Sequence, residues 1–131
     1  MTKFFLILML VFVSTGVKAD WVEISQGEGG FVIWYADPAT IRKSSVGVKV
    51  WHLRNYKKMQ KDKDVAPFSS TKAQVECDCQ EERIRILFFS NYTGLMSSGK
   101  TNYSSAAVGD WVPVAPGSLN ESLWDYACGK Q

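Results

Sequence analysis

The sequence predicts an α+β fold in which an antiparallel meander of about six strands carries one C-terminal helix on one face. Two observations predict this fold. Within residues 68–92, small or apolar residues alternate with polar ones and then give way to β-branched and aromatic residues, which is typical of two paired strands. Near the end of the chain, apolar residues recur at helical spacing behind a capping sequence, which indicates a helix with one buried side.

Residues 1–19 have the features of an export signal. Lys3 supplies a positive charge, ten apolar residues follow, and Val17 and Ala19 put a modest and a small side chain at the positions that a signal peptidase reads. We expect a signal peptidase to cleave between Ala19 and Asp20. The apolar run is shorter than the roughly 20 residues that a membrane-spanning helix needs, so no membrane anchor is expected after cleavage. The prediction is a single domain over residues 20–131, exported to the periplasm, the outer surface or the medium.

The charge of the expected mature chain is balanced. The full sequence has 15 Lys and Arg against 13 Asp and Glu. Lys3 and Lys18 lie in the predicted leader, so 15 minus 2 leaves 13 charges of each sign. This balance gives no reason to expect nucleic acid or acidic lipid as a partner.

The first half of the domain is expected to supply three strands. Residues 21–24 are expected to form a short first strand, residues 31–36 a strand that is apolar on both faces, and residues 46–57 the longest strand. Between them, residues 37–41 place an N-cap residue before a proline, which predicts a single helical turn. The polar residues 57–64 are expected to form a solvated hairpin loop.

The hairpin predicted next has one face toward the core. Residues 69–79 alternate with period two, and residues 83–90 form the partner strand. Asp78, Glu81 and Glu82 cluster at the bend between them, where acidic side chains are mostly solvated.

The C-terminal helix is the clearest one in the sequence. Ser118 and Glu121 form a capping box, and Gly129 follows the last apolar position. The apolar stripe consists of Leu119, Leu123, Trp124, Ala127 and Cys128. One such helix cannot cover a sheet whose strands are apolar on both sides. We therefore expect an uncovered face opposite the helix that contacts a protein partner or a second copy of the chain.

Three cysteines in an exported chain predict one disulfide and one free thiol. Cys77 and Cys79, two apart on a strand, are separated by roughly 6.5 to 7 Å at Cα, the limit for a disulfide. Cys128 is therefore expected to be one partner. A bridge from Cys79 would tie the helix onto the sheet, and an isomer through Cys77 stays open.

No arrangement of residues indicates catalysis, a metal or a cofactor. His52 is the only histidine, and one His with one spare Cys falls short of the ligands that zinc uses. We interpret Cys77 as a small buried thiol. The five tryptophans are expected to be mostly core, with one or two available to anchor a partner: Trp21, Trp34, Trp51, Trp111 and Trp124.

Four segments occur in a distinctive order: W-Y-A-D-P-A-T-I-R at 34–42, V-K-V-W-H-L-R-N-Y-K at 48–57, S-S-T-K-A-Q-V-E-C-D-C-Q-E-E-R at 69–83, and W-V-P-V-A-P-G-S-L-N-E-S-L-W-D-Y-A-C at 111–128. Together they resemble the bacterial surface-adhesin protein E-like family. The resemblance implies a curved antiparallel sheet whose C-terminal helix is held on the concave side by a Cys79 to Cys128 disulfide. The extra Cys77 and the missing lipoprotein cysteine depart from the family pattern.

The family takes its name from a lipid-anchored adhesin that binds host extracellular-matrix proteins. The resemblance therefore implies an exported, non-enzymatic binding domain whose partner is a host matrix protein or an envelope protein. A homodimer is a further candidate assembly. The alternative is a periplasmic accessory protein or small-ligand binder in an envelope complex. No binding residue is carried over from the family.

Overall fold

The computed structural model describes residues 19–129, which are built around one antiparallel sheet. Its strands are β1 (Val22–Gln26), β2 (Val32–Lys43), β3 (Gly47–Asp62), β4 (Val65–Asp78), β5 (Arg83–Tyr92), β6 (Thr101–Ser105) and β7 (Val112–Pro113). Strands β1 to β6 lie side by side in chain order, and β7 pairs with β5. A 3-10 turn spans Glu28–Gly30, and the helix α1 spans Leu119–Cys128. The predicted fold class is confirmed.

The predicted signal peptide falls largely on residues 1–18, which lie outside the described residues. Ala19 and Asp20, where cleavage is predicted, are exposed at the start of the described chain. Cleavage there and the single-domain boundary stay predictions.

The polar segment at residues 57–64 is not a loop, so that prediction was wrong. Strand β3 runs on to Asp62, β4 begins at Val65, and only Lys63 and Asp64 turn the chain. The two strands pair as far as Asp62 and Val65, so backbone hydrogen bonds continue where side chains are mostly exposed. A hairpin that is exposed on both sides needs no apolar face. Its sequence therefore lacks the apolar alternation by which a strand is distinguished from a loop. We call residues 57–68 the hairpin arm.

The helical turn predicted at residues 37–41 was also wrong. This segment lies inside β2, where the pairing with β3 shifts after Asp37. The Asp37 side chain accepts the Ala39 N–H, while Thr40 Oγ1 donates to the Asp37 carbonyl and accepts the Trp51 N–H. The segment is thus a bulge, which tolerates a proline because the local ladder is already interrupted.

Helix α1 begins and ends where the sequence predicts. Ser118 Oγ accepts the Glu121 N–H at 3.1 Å, and Glu121 Oε1 accepts the Gly117 N–H at 3.2 Å. Gly129 closes the helix in the left-handed region, at a φ of 72°. The helix packs on β1 to β4. Its buried side chains are Leu123, Trp124 and Ala127.

The core lies between α1 and one side of the sheet, which we call the helix face; the other side is the outer face. The strand residues of this core are Val32, Trp34, Ala36, Val50, Val75, Cys77 and Ile84. Cys79 and Cys128 form a disulfide with a Cα to Cα distance of 5.8 Å, which confirms the predicted tether of the helix. Cys77 is buried and free.

Candidate functional site

Helix α1 covers only part of the helix face, and an open groove of about 850 Å³ lies beside it. Side chains from β3, β4, β5 and β6 line the groove together with residues of the hairpin arm. Its position follows from length: a ten-residue helix is about 15 Å long, whereas a 16-residue strand reaches roughly 53 Å. The far half of the long strands therefore stays uncovered.

Two pairs of aromatic rings line the groove. Tyr56 on β3 meets Phe68 edge-to-face, with ring centres 5.7 Å apart. Phe89 on β5 lies beside Tyr103 on β6 at 5.6 Å. Tyr103 is 54% exposed, which is high for a large aromatic residue. The groove thus offers flat apolar surfaces to an occupant.

Arg54 is the cation on the sheet side of the groove. Its guanidinium lies over the Trp34 ring, with Cζ 4.5 Å from the ring centre, within the range of a cation–π contact. Its Nε is buried and has no hydrogen-bond partner. Within residues 19–129, the ion pairs are made by Arg83 and Arg85, and neither involves Arg54. Arg54 therefore keeps donors that no carboxylate of the described chain satisfies.

The remaining polar lining is divided between the strands and the hairpin arm. Thr71 Oγ1 donates to Asn91 Oδ1 at 2.8 Å, and this buried pair bridges β4 and β5. Asn102 Nδ2 donates to the Pro67 carbonyl, which links β6 to the arm. The arm itself contributes Gln60, Lys61, Asp62 and Asp64.

His52 shares the helix face with Arg54 but is fully buried. Its ring lies 5.0 Å from the Trp34 ring, and neither ring nitrogen has a hydrogen-bond partner. Burial, and then the charge of Arg54, hold the pKa of His52 well below its ordinary value. His52 is therefore a neutral core residue at pH 7.

The structure places His52 and Cys77 on the same face but does not bring them together. His52 pairs with Ala73, and Cys77 pairs with Val48, so four residues, or roughly 13 Å, separate their positions along the strands. Burial, and then the charge of Glu76, raise the pKa of Cys77 to about 12. This thiol is thus protonated and enclosed.

Asp78 was predicted to be solvated, and that prediction was wrong. It is only 4% exposed because it organises the bend after β4. Its Oδ1 accepts the N–H groups of Gln80 and Glu81, and its Oδ2 accepts Arg83 Nε at 3.0 Å. The bond from the Glu81 N–H, followed by the contact with Arg83, lowers the pKa of Asp78 despite the opposing effect of burial.

Glu76 and Arg85 form a second ion pair across β4 and β5, at 2.7 Å. Burial opposes ionisation of Glu76, but hydrogen bonds from Arg85 and Ser44 hold its pKa below the ordinary value. Trp111 lies against the guanidinium groups of both Arg83 and Arg85, at 4.5 and 4.3 Å. Asp78 and Glu76 are therefore already paired with Arg83 and Arg85 in ion pairs within the chain.

The outer face is partly covered. The loop at residues 93–99 folds back onto it, where Ser70 Oγ donates to the Gly94 carbonyl and Asn55 Oδ1 accepts the Met96 N–H. Trp51 remains half-buried on this face. Of the five tryptophans, two are buried in the core: Trp34 and Trp124.

Sequence reasoning expected the uncovered surface opposite the helix and missed the groove beside it. A signal was present: Arg54, Tyr56 and Thr71 are polar or aromatic at positions that alternation assigns to the same side as Val50 and Val75. Asn91 gave no such signal, because it reaches the helix face only through the shift in the pairing of β4 with β5. Such residues mark the part of the helix face beyond the reach of α1.

Within residues 19–129, no helix is both long and apolar enough to span a bilayer. In the same part of the chain, no three His, Cys, Asp or Glu side chains are grouped so that they could hold a metal ion.

Taken together, the fold and the groove define a small α+β domain in which a disulfide-tethered helix shares one face of an antiparallel sheet with an open cleft. The chain belongs to the family described as Surface-adhesin protein E, whose model matches residues 21–129. A search of curated proteins found no significant match.

Solved structures of Haemophilus influenzae protein E share this fold. Crystal form II superposes with a TM-score of 0.64 at 12% identity, covering 88% of this chain and 91% of that one. A second structure gives a TM-score of 0.62 at 12% identity, with 88% of each chain covered. Protein E from non-typeable Haemophilus influenzae gives 0.58 at 13% identity, covering 88% and 79%. At these identities the likeness concerns the fold.

Proposed function

We propose that this chain is an exported, non-enzymatic binding domain that acts as a surface adhesin, and that its groove contacts a macromolecular partner such as a host extracellular-matrix protein. The observation that carries the proposal is the groove itself, with two aromatic pairs and an arginine that no carboxylate of the described chain engages. Aromatic and arginine side chains contribute most of the binding energy at protein interfaces. Membership of the Surface-adhesin protein E family supports the same conclusion.

The state of the reactive side chains supports binding over catalysis. A nucleophilic thiol needs access to substrate and a lowered pKa, whereas Cys77 is enclosed with a raised pKa. A general base must reach the proton that it removes, and His52 is fully buried. Neither residue lines the groove.

The binding proposal is tested with immobilised matrix proteins and the full chain, expressed with its own leader and purified after export. We expect binding to at least one matrix protein, and Tyr103→Ala should weaken it by about tenfold or more because Tyr103 is an exposed ring in the groove. Leu95→Ala is the matched control, since Leu95 is 52% exposed but lies on the outer-face loop. Loss of binding in Leu95→Ala alone would place the contact on the outer face and refute the proposed site.

A periplasmic accessory or small-ligand role is the second candidate. The groove volume of about 850 Å³ favours it, since small-molecule sites typically measure about 300–1,000 Å³. Protease treatment of intact cells separates the two roles. Digestion of this protein, with a periplasmic control protein protected, supports the adhesin; protection until lysis supports the periplasmic role.

A further inference from the structure

We infer that the groove binds a saccharide that carries a single carboxylate, with the carboxylate at Arg54 and the sugar hydroxyls at the hairpin arm. The inference rests on the proposed binding role of the groove and adds the chemical class of its ligand.

The carboxylate is inferred from the state of Arg54. A guanidinium presents its donors in a planar fork that matches a carboxylate. The Trp34 ring supports the group from one side, with Cζ 4.5 Å from the ring centre. The described chain supplies no acceptor to its Nε and no ion pair to the group. A carboxylate from outside the chain would therefore meet a positioned and unneutralised partner.

The saccharide is inferred from the combination of rings and polar groups. One side of a pyranose ring is largely C–H, and it packs flat against an aromatic ring, while its hydroxyls point outward. Tyr103, exposed beside Phe89, offers such a ring, and Tyr56 with Phe68 offers another. A wholly apolar ligand would leave the partly buried guanidinium of Arg54 without an acceptor, which is costly.

The hairpin arm determines how many negative charges the ligand can carry. Asp64 and the Oδ2 atom of Asp62 provide carboxylate oxygens, which accept hydrogen bonds from hydroxyl groups, while Asp62 Oδ1 already accepts the Lys63 N–H. The same two carboxylates repel additional anions. With Lys61 and Arg54 opposing them, the lining has no net charge, so a polyanion such as a sulfated chain gains no general attraction. A ligand with one carboxylate near Arg54 and neutral hydroxyl groups near the hairpin arm therefore matches the charges of both parts of the lining.

The probe is sialyllactose, which has one carboxylate, compared with lactose, which has none. Binding to the exported full chain is followed by calorimetry and by amide chemical shifts. We expect sialyllactose to bind about tenfold or more tightly than lactose, with shifts clustered at the groove. Arg54→Gln should reduce sialyllactose binding to the level of lactose, and Tyr103→Ala should weaken both.

Arg42→Gln is the matched control, because Arg42 is an exposed arginine that does not line the groove. It should bind sialyllactose like the unaltered chain. If Arg54→Gln fails to fold, Arg54→Lys keeps the charge without the fork and should still weaken sialyllactose binding relative to lactose. Equal binding of the two sugars, no binding of either, or unchanged binding by the Arg54 variants would overturn the inference.

Two further comparisons distinguish a failure of this inference from a failure of the proposed function. If matrix-protein binding persists unchanged after enzymes remove the acidic sugars from that protein, the adhesin proposal stands and the saccharide inference fails. If sialyllactose binds through Arg54 but no matrix protein binds, the inference stands and the adhesin proposal fails. A glutamate-containing peptide that binds through Arg54 as tightly as sialyllactose would overturn the inference in favour of a protein segment.

Discussion

The indole Nε1 of Trp124 donates a hydrogen bond of 2.9 Å to the backbone carbonyl of Asp78, which joins α1 to the end of β4. The disulfide between Cys79 and Cys128 links the same helix covalently to the first residue after β4. The helix is therefore anchored near one end of the long β3 and β4 strands. Because the anchor is there, the opposite end of the helix face is left for the groove.

Loss of the disulfide should destabilise the domain strongly. Cys128→Ser is expected to lower the free energy of unfolding by roughly 2–5 kcal/mol, because the unfolded chain regains the freedom of a long loop. Urea titration followed by tryptophan fluorescence measures the change. Cys77→Ala is the control, with a smaller expected loss because it removes only a thiol from the core. A greater loss for Cys77→Ala than for Cys128→Ser would contradict the tether as the main cross-link.

The thiol of Cys77 should be inert in the folded protein. Burial and the charge of Glu76 raise its pKa to about 12, so at pH 8 almost no thiolate is present to react. An aromatic disulfide reagent, which releases one coloured thiol for each protein thiol that reacts, should give no signal with the native chain. After denaturation without reductant it should report one thiol per chain. Cys77→Ala should release none in either state. Fast reaction of the native chain would show that the core around Cys77 opens.

Stability should fall as the pH drops below about 6.5, the ordinary pKa of histidine. The pKa of buried His52 is lower in the folded chain, so the unfolded chain binds the additional proton and acid favours unfolding. The stabilisation is fully present above pH 6.5, and one proton limits the slope to about 1.4 kcal/mol per pH unit.

The free energy of unfolding between pH 5 and 8 tests this dependence. His52→Phe keeps a ring against Trp34 and should flatten the profile in that window. Glu76 and Asp78 have lowered pKa values, so their stabilisation is lost only at more acidic pH, below their ordinary values near 4. An unchanged slope in His52→Phe would assign the pH dependence to another group.

Gly47 should tolerate no side chain. A Cβ there would lie 2.0 Å from the Cys77 carbonyl oxygen, which belongs to the paired strand. Gly47→Ala is expected to cost roughly 1–3 kcal/mol or more, because two backbones must move apart. Gly109→Ala is the control, since the nearest atom would be 3.5 Å away. Equal thermal stability of the two variants would show that the β3 and β4 strands separate easily.

Local chemistry explains why some elements could be predicted from the sequence and others could not. The Ser118 cap and the Gly129 terminus are interactions within a few residues, so a short stretch of sequence contains them. The polar hairpin arm and the bulge at residues 37–41 depend instead on which strand lies alongside. The burial of Asp78 likewise depends on Arg83 across the bend.

The amino-acid sequence by itself determined the α+β class and the helix with both of its ends, because periodicity and capping are local properties; it indicated Cys128 as one partner of the disulfide and left the choice between Cys77 and Cys79 to the tertiary structure. Only the tertiary structure decided where the groove lies and which residues line it. Arg54, Asn91 and Tyr103 are far apart in the chain, and they meet because β3 to β6 pair in order and the hairpin arm extends past the helix. Whether Arg54 has a carboxylate beside it depends on which residues of the neighbouring strands lie next to it, and no local pattern in the sequence contains that information.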